Sequence, residues 1–400
     1  MKSKIYILLI SIFGSYYTYA QNKPYRDVSN PFYWKNKMPF VGYWQQDVDY
    51  KIKASINDKT DIVDGEEELI YYNNSPDTLS FLYFHLYQNA FIKGGYLEQL
   101  NLANSFKQKF GPYETAGKGT EIEKIEVLSV NYPPAFMDEN GGRAAIQPML
   151  NKYEVKPMID FSIMRVDLQQ PVLPNQSVTV RIKFKTYFDA GGNQRRRMKT
   201  FTDAWGNKQY DGVHWYPRIC VYDRKFGWET DQHLGKEFYG DFGSYDVELT
   251  FPNHYIVDAT GELQNREEVL PADLRKKLDV SNFKDKPLES EPSEIITPDG
   301  TTKTWKFKSI NTHDFAWVAD PTFRIGEEVL TLKNGDKVSC ISLSQEPHSA
   351  RWQDAASFTA KVIDVYSNDI GYYAYPKMIV ADARDGMEYP MPRAIFCFRR

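Results

Sequence analysis

The segment DVDYKIKASIN (Asp47–Asn57) alternates polar and apolar side chains along its whole length. Successive side chains of a β-strand point to opposite faces of the sheet, so strict period-two spacing predicts a strand with one buried face and one face in water. The buried face is expected to consist of Val48, Tyr50, Ile52, Ala54 and Ile56.

The same alternation returns along the next 250 or so residues. The turn NDKTD leads into IVDGEEELIYYNN, and LSFLYFHLYQNAF follows as a more apolar and therefore more buried strand. Later examples are VTVRIKFKTYF, YDVELTF (Tyr245–Phe251) and TWKFKSI (Thr304–Ile310). With 28 tyrosines in 400 residues, the chain is also rich in rings that pack well on a pleated surface. The pattern predicts a mostly β protein built around a large, mostly antiparallel sheet or sandwich.

The predicted β-domain spans residues 41–340 and carries two insertions. Residues of about 101–158 mix glycine, proline and charge, and predict a long excursion with one edge strand. Residues of about 265–300 are highly charged and predict a surface insertion, in which PADLRKKLDV forms a short helix. Neither insertion contains a catalytic motif.

After residue 340 the pattern changes from strands to a helix and a strand. In SARWQDAASFTAKVIDVYSNDIG the apolar residues recur at three- and four-residue spacing, which predicts an amphipathic helix with Ser349 as N-cap and Gly371 as the stop. Its buried face is expected to run from Trp352 to Tyr366. KMIVADA then predicts a buried strand. Residues 341–400 therefore read as the start of a second, α/β domain.

The amino terminus has the features of a secretory signal peptide over residues 1–20. Lys2 and Lys4 precede a short apolar stretch, Ile5–Phe13, and Thr18–Ala20 offers small residues for cleavage. Residues 21–40 would follow as a leader segment. No later apolar run is long enough to cross a membrane, so the sequence predicts an exported protein, periplasmic or secreted. A net charge of −4 gives no reason to expect nucleic acid as a partner.

Four segments, in order, resemble the zinc aminopeptidases of the aminopeptidase N and leukotriene hydrolase type, which are gluzincin metallopeptidases. The most informative is YAYPKMIVADARDGMEYP (Tyr373–Pro390), which is similar to the segment leading into that family's G-x-M-E-N motif. HWYPRICVYD (His214–Asp223), FYGDFGSYDVELTFPNHYIVDATGEL and HDFAWVADPTF (His313–Phe323) resemble successive elements of its β-domain. The match extends over residues of about 40–395 and covers the N-terminal portion of the family's chain.

The resemblance implies a β-saddle domain followed by the start of a thermolysin-like α/β catalytic domain. It implies that Glu388 pairs with the free amine of a bound peptide, and that Gly386 and Met387 line the substrate. Two departures affect this loop: Asp385 stands where the motif has its first glycine, and Tyr389 where it has asparagine.

The family's chemistry requires Zn²⁺, held by the two histidines of H-E-x-x-H and by a later glutamate. The chain contains no H-E-x-x-H, and no two of its six histidines lie three to five residues apart. No zinc ligand or catalytic residue is therefore assigned, and the chain is predicted to be inactive alone. After GMEYPM the chain reads PRAIFCFRR, which fits an excerpt of a longer protein, a broken reading frame or a short non-catalytic form.

Two functions remain open from the sequence. The chain belongs to an exported metallo-aminopeptidase that removes N-terminal residues from peptides, or it is a non-catalytic β-domain that binds peptide or protein. Cys220, Cys340 and Cys397 are far apart and form no disulfide framework.

Overall fold

The structure is a computed structural model. It describes residues 26, 30, 33–131, 152–189, 198–234, 239–383 and 394–396, with residues 131 and 394–396 described for the backbone alone. Strands dominate the described part of the chain, which confirms the predicted mostly β fold class.

The strands share the short length and frequent turns expected of antiparallel β proteins. In chain order they are β1 (Asp47–Asn57), β2 (Ile62–Tyr72), β3 (Leu79–His85), β4 (Thr120–Asn131), β5 (Tyr153–Glu154), β6 (Met158–Asp160), β7 (Ile163–Val172), β8 (Ser177–Tyr187), β9 (Lys199–Thr202), β10 (Lys208–Gly212), β11 (Arg218–Ile219), β12 (Tyr222–Asp223), β13 (Gly227–Trp228), β14 (Gly243–Pro252), β15 (Ile256–Ala259), β16 (Glu262–Leu263), β17 (Thr302–Thr312), β18 (Trp317–Asp320), β19 (Phe323–Thr331), β20 (Lys337–Gln345), β21 (Lys377–Asp382) and β22 (Ala394–Phe396).

Helices are few, and only one is longer than two or three turns. The α-helices are α1 (Tyr96–Ala103), α2 (Pro112–Thr115), α3 (Arg266–Val269), α4 (Ala272–Leu278) and α5 (Ala355–Asp369). The 3-10 helices are Tyr87–Phe91, Val280–Phe283 and Glu346–Arg351.

The strands form one large sheet and four smaller ones. The large sheet has the order β16-β17-β14-β1-β2-β8-β4-β5, the second sheet β11-β3-β7-β6 and the third sheet β15-β18-β10-β9. β12 and β13 form a hairpin. The terminal sheet has the order β19-β20-β21-β22. Most pairs are antiparallel, but β1 runs parallel to β14 and β20 runs parallel to β21.

The first strand matches its sequence pattern residue by residue. From Tyr50 to Asn57 every second side chain of β1 is buried, and the lysines at 51 and 53 are exposed on the opposite face. β1 occupies the centre of the large sheet, between β2 and β14.

A single apolar cluster lies between the large, second and third sheets and extends to one face of the terminal sheet. Its largest members are the indole rings of Trp215, Trp305 and Trp317, each no more than 1% exposed. Trp215 and Trp317 contact each other edge to face, with ring centroids 6.2 Å apart. These aromatic contacts join strands that are distant in sequence into one core.

The terminal sheet is covered on its other face by α5. Ala360 and Ile363 of the helix pack with Val338, Cys340 and Met378 of the sheet. The helix begins at Ala355, so the predicted N-cap, Ser349, lies too early in the chain to cap it. Ser349 is part of the preceding 3-10 helix, and its hydroxyl lies 2.8 Å from that of Ser344. The predicted stop is confirmed to within two residues, since the helix ends at Asp369. Tyr366, expected on the buried face, is 56% exposed.

The charged segment 265–300 forms more contacts than a surface insertion would. It contains the predicted short helix as α4, whose Leu278 is fully buried. Beyond α4, the side chain of Lys286 lies 2.6 Å from an oxygen of the buried Glu346, and both the backbone N–H and the hydroxyl of Ser293 donate to that same oxygen. The segment is therefore anchored on the terminal sheet.

The segment 101–158 includes an internal strand rather than only an edge. β4 pairs with β8 along its length and is itself flanked by the two-residue β5. Two register shifts in the β4–β8 pairing explain why the alternation of this strand is hard to see in the sequence, since a bulge moves the following side chains to the opposite face.

Glu67 places a carboxyl group among the apolar side chains of β2. It lies on the inward face of β2, is fully buried, and neither carboxylate oxygen has a hydrogen-bond donor among the described residues. Burial raises the pKa of this carboxyl well above its usual range. Glu67 therefore destabilises the folded state.

Replacing Glu67 by leucine is expected to raise the free energy of unfolding by about 1–3 kcal/mol, the usual cost of an unsatisfied buried polar group. Urea unfolding of the wild type and Glu67→Leu measures this difference. Glu66→Leu is the matched control, because the side chain of Glu66 lies on the solvent-facing side of the same strand. A Glu67→Leu protein less stable than the wild type would show that the carboxyl has a partner.

The two described cysteines, Cys220 and Cys340, are buried and unpaired. Cys397 lies outside the described residues.

Candidate functional site

The ends of four strands from two sheets meet at one place. Because β20 and β21 are parallel, their carboxyl ends lie at the same edge of the terminal sheet. β18 and β10 are antiparallel, so the carboxyl end of β18 lies beside the start of β10. The side chains that emerge there are Gln209, Asp320, Gln345 and Asp382, each at most 5% exposed. We call these four residues, together with His348, the strand-end cluster.

Hydrogen bonds link the cluster across the two sheets. The amide nitrogen of Gln345 donates to the amide oxygen of Gln209 at 3.0 Å and to a carboxylate oxygen of Asp320 at 2.8 Å. Gln209 in turn donates to the backbone carbonyl of Asp382 at 2.7 Å. The amide oxygen of Gln345 is buried and receives no hydrogen bond from the described residues. This oxygen is therefore an unused acceptor enclosed by the protein.

His348 lies at the more exposed side of the cluster. Its Nδ1 is 2.6 Å from a carboxylate oxygen of Asp382, and its Nε2 is 3.4 Å from a carboxylate oxygen of Glu289. The side chain is 23% exposed, whereas Asp382 is buried. Asp382 therefore orients an imidazole that solvent can reach.

Asp320 carries the clearest electrostatic perturbation in the cluster. Burial raises its pKa to about 6, although hydrogen bonds from Thr322 and Gln345 favour the ionised form. The backbone N–H and hydroxyl of Thr322 donate to its other oxygen at 2.6 and 2.7 Å. At neutral pH the carboxylate is ionised and largely shielded from water. Such a group favours a cationic hydrogen-bond donor, for which an ammonium group is suited.

The residues predicted from the sequence to bind substrate, Gly386, Met387 and Glu388, lie outside the described residues. The last described residue before them is Ala383, directly after Asp382 at the end of β21. The structure therefore shows where β21, the strand before the motif, ends. The role of Glu388 stays a prediction.

Sequence reasoning did not select the strand-end cluster. A usable signal was nonetheless present: three apolar strands, WVAD, CISLSQ and KMIVAD, each end in a polar side chain. Polar groups at the carboxyl ends of neighbouring strands commonly form binding sites in α/β sheets. What the sequence lacks is the information that Gln209, more than a hundred residues from the others, joins them.

A metal ion does not fit the cluster as described. The two carboxylates near His348 approach different ring nitrogens, which point away from each other, so the three groups cannot converge on one ion. Among the residues that the structure describes, no group of three or more His, Cys, Asp or Glu side chains is arranged to hold a metal. No step of a reaction is assigned to zinc in this chain.

A second polar group contains three of the six histidines. The ring of Tyr87 contacts those of His85, His214 and His233, with centroids 4.8, 4.3 and 5.0 Å away. The sequence predicts separate strand-edge or loop positions for the histidines, and spacing along the chain cannot reveal that they converge. All three are buried, and burial lowers the pKa of both His85 and His214.

Acid is expected to destabilise the protein through His214. Burial lowers the pKa of His214 to about 3, even though Asp314 opposes the shift. Below about pH 6.5 the unfolded chain binds a proton that the folded chain does not, so stability falls as the pH falls towards 3. Between pH 6.5 and 5 this costs about 2 kcal/mol for one histidine.

The measurement is chemical unfolding at pH 6.5 and pH 5 for the wild type and His214→Asn. Asparagine tolerates the left-handed backbone of position 214, where φ is +56°, and does not titrate. The variant should lose less stability than the wild type over this interval. Equal losses would show that His214 does not contribute to the acid sensitivity.

Comparison with known proteins gives solved structures alone. No family model and no curated protein matches the chain. The chain is similar to an M1 zinc metallopeptidase from Deinococcus radiodurans, with 13% identity and a TM-score of 0.46 over 86% of this chain and 57% of that one. It is also similar to a mutant of that organism's enzyme bound to a Tyr-Ser-Ala substrate, with 13% identity and a TM-score of 0.47 over 86% and 58%. A third match is a two-domain M1 zinc metallopeptidase mutant bound to L-arginine, with 13% identity and a TM-score of 0.46 over 86% and 58%.

The chain therefore spans less than two thirds of the length of these structures. Within the described residues, no helix is both long and apolar enough to span a membrane.

Proposed function

We propose that this chain binds the free amino terminus of peptides at the carboxyl end of β21. The observation that carries the proposal is the acceptor-rich strand-end cluster, placed directly before the segment that contains Glu388. A buried ionised Asp320 and the unpaired amide oxygen of Gln345 favour an ammonium group. Glu388 would complete the site by pairing with the same charge.

The chain would act as the substrate-binding part of a metallo-aminopeptidase of the gluzincin class. Its 400 residues contain no H-E-x-x-H, and zinc chemistry in that class needs this motif. We therefore propose that the chain alone binds peptides without hydrolysing them. The non-catalytic alternative also requires binding without hydrolysis. The aminopeptidase proposal differs from it because it requires a zinc-bearing partner or chain segment.

The proposal extends to organisation and location. Residues 1–20 would direct export and be removed, with residues 21–40 as a leader segment. Residues 41–340 would form the β-domain, and residues 341–400 would begin the α/β domain. The protein would then act on peptides in the periplasm or outside the cell.

The test is peptide binding by site variants of the full chain. Wild type, Asp320→Asn and Glu388→Ala are titrated with an alanine tetrapeptide that carries a fluorophore at its carboxyl end. Each variant is expected to bind about tenfold more weakly, because a hydrogen bond to a charged group contributes about 1.5–3 kcal/mol. Asp336→Asn is the matched control and should bind like the wild type, because Asp336 is exposed and directly precedes β20, at the opposite end of that strand from Gln345.

Hydrolysis is measured in the same preparations with an aminoacyl-anilide substrate, together with zinc content. Wild-type chain should show neither turnover nor stoichiometric zinc. Unchanged peptide affinity in both variants would contradict the assigned site, and turnover that depends on zinc would contradict the non-hydrolytic role.

A further inference from the structure

A cavity of about 160 Å³ lies where the third, large and terminal sheets meet. None of the five residues of the strand-end cluster lines it, and of β21 it is lined by Lys377. Lys377 and Asp382 are the first and last residues of β21, and five strand steps separate them by about 16 Å. Two lining residues are neighbours of the cluster: Ile256 pairs with Asp320 across β15 and β18, and Leu343 lies two residues before Gln345.

The walls of the cavity are mostly apolar. They include Ile256 of β15, Leu263 of β16, Leu270 after α3, and Ile325, Ile341 and Leu343 of the terminal sheet. A cavity of about 150 Å³ with such walls accommodates a benzene-sized molecule. The size of this cavity therefore suits one aromatic ring or a branched aliphatic group.

The charged groups around the cavity differ in whether they are already paired. The ammonium group of Lys377 contacts the carboxylate of Asp258 and donates to the backbone carbonyl oxygens of Gly261 and Ala259 at 3.0 and 3.3 Å. Arg266 forms an ion pair with Glu327. These four charges balance one another.

Glu262 is the remaining charge. Its side chain is exposed and lines the cavity. Lys377, which is bonded to Asp258, also attracts its carboxylate, but no hydrogen bond or ion pair within 4 Å joins that carboxylate to another described residue. The lining thus carries one net negative charge beside an apolar chamber. A ligand that matches both features has a small apolar body and one cationic group.

We propose that this cavity binds a small hydrophobic amine, with the apolar group between Leu263 and Ile341 and the ammonium group paired with Glu262. The occupant is defined by its chemistry: a primary amine attached to a group of about the size of one benzene ring. The site is separate from the proposed peptide site and does not depend on it.

The probe is benzylamine, with benzyl alcohol as the neutral analogue of almost the same shape. Saturation-transfer NMR on the full chain should detect benzylamine binding with a Kd in the millimolar range, which is typical of so small a ligand. Glu262→Gln should weaken benzylamine binding about fivefold, since a partly exposed ion pair contributes about 1 kcal/mol. It should leave benzyl alcohol binding unchanged.

Three control variants locate the site. Glu267→Gln removes the same charge nearby but from a side chain that is 75% exposed and already paired with Arg275, so it should bind like the wild type. Leu263→Trp, which fills the cavity, should abolish binding of both probes while thermal unfolding confirms the fold. Asp320→Asn should leave the part of benzylamine binding that is lost in Glu262→Gln unchanged.

Three results would overturn the proposal. One is undetectable benzylamine binding by the wild type. Another is equal affinity for benzylamine in the wild type and Glu262→Gln. The third is loss of benzylamine binding in Asp320→Asn with no change in Glu262→Gln, because the amine would then occupy the strand-end cluster.

Discussion

Replacing Glu346 by leucine is expected to lower the free energy of unfolding by about 3–5 kcal/mol, the usual cost of breaking a buried ion pair by removing one partner. Glu346 and Arg324 are both fully buried, and the guanidinium Nε donates to the carboxylate at 2.9 Å. The other guanidinium nitrogens donate to the backbone carbonyl oxygens of Phe323 and Ser293, each at 2.9 Å. Removing the carboxylate leaves Arg324 as an uncompensated buried cation.

The double variant Arg324→Leu with Glu346→Leu is the informative comparison. It removes both buried charges, so it should be more stable than the Glu346→Leu single variant. Urea unfolding of the three proteins measures the two differences. A loss below about 1 kcal/mol in the single variant would mean that the pair is solvated, since exposed pairs contribute no more than that.

Replacing Trp215 by alanine is expected to cost about 3–5 kcal/mol, as large-to-small changes in packed cores do. The ring is fully buried and contacts the rings of Phe184, Tyr216, Phe315 and Trp317. Its indole N–H donates to the backbone carbonyl of Phe315 at 3.0 Å. Alanine would leave both a cavity and an unsatisfied carbonyl.

Trp215→Phe separates these two contributions. Phenylalanine retains much of the ring volume but not the N–H donor, so the loss should fall to about 1–2 kcal/mol. Thermal or urea unfolding gives both values, and far-UV circular dichroism reports whether the fold is retained. Equal losses in the two variants would show that the hydrogen bond, rather than ring packing, makes Trp215 important.

Local pattern predicted the strands well because each strand buries one face. In β1 the alternation from Tyr50 to Asn57 is the same in sequence and structure, since period two is a property of the extended chain itself. The pairing of β1 with β14 is different. Those strands are about two hundred residues apart, and their parallel register depends on the packing of three sheets, which no local pattern encodes.

Helix α5 shows the same difference between what a local pattern predicts and what tertiary packing determines. The amphipathic pattern identified α5, but Tyr366 is mostly exposed because the contact stripe is narrower than the apolar stripe. Ser349 resembled an N-cap in sequence, yet its hydroxyl bonds the hydroxyl of Ser344 and the backbone carbonyl of Gln345 at the end of β20. Which residue becomes the N-cap of a helix depends on where the chain turns into the helix, and tertiary packing determines that position.

The candidate site was predictable only in part. The motif containing Glu388 drew attention to the end of β21, where Asp382 lies. Gln209, Asp320 and Gln345 reach the same place through strands of the third and terminal sheets, and their hydrogen bonds cross from one sheet to the other. Such convergence follows from topology rather than from spacing in the sequence.

The most direct test of the proposed function is the effect of acetylating a peptide's amino terminus on its affinity for the full chain. Isothermal titration with the free and the N-acetylated alanine tetrapeptide gives the two dissociation constants. The proposed amine site predicts that acetylation weakens binding by at least about tenfold, because it removes the charge and two of the donors that the acceptors bind. Equal affinity for the two peptides, or no affinity for either, would contradict it.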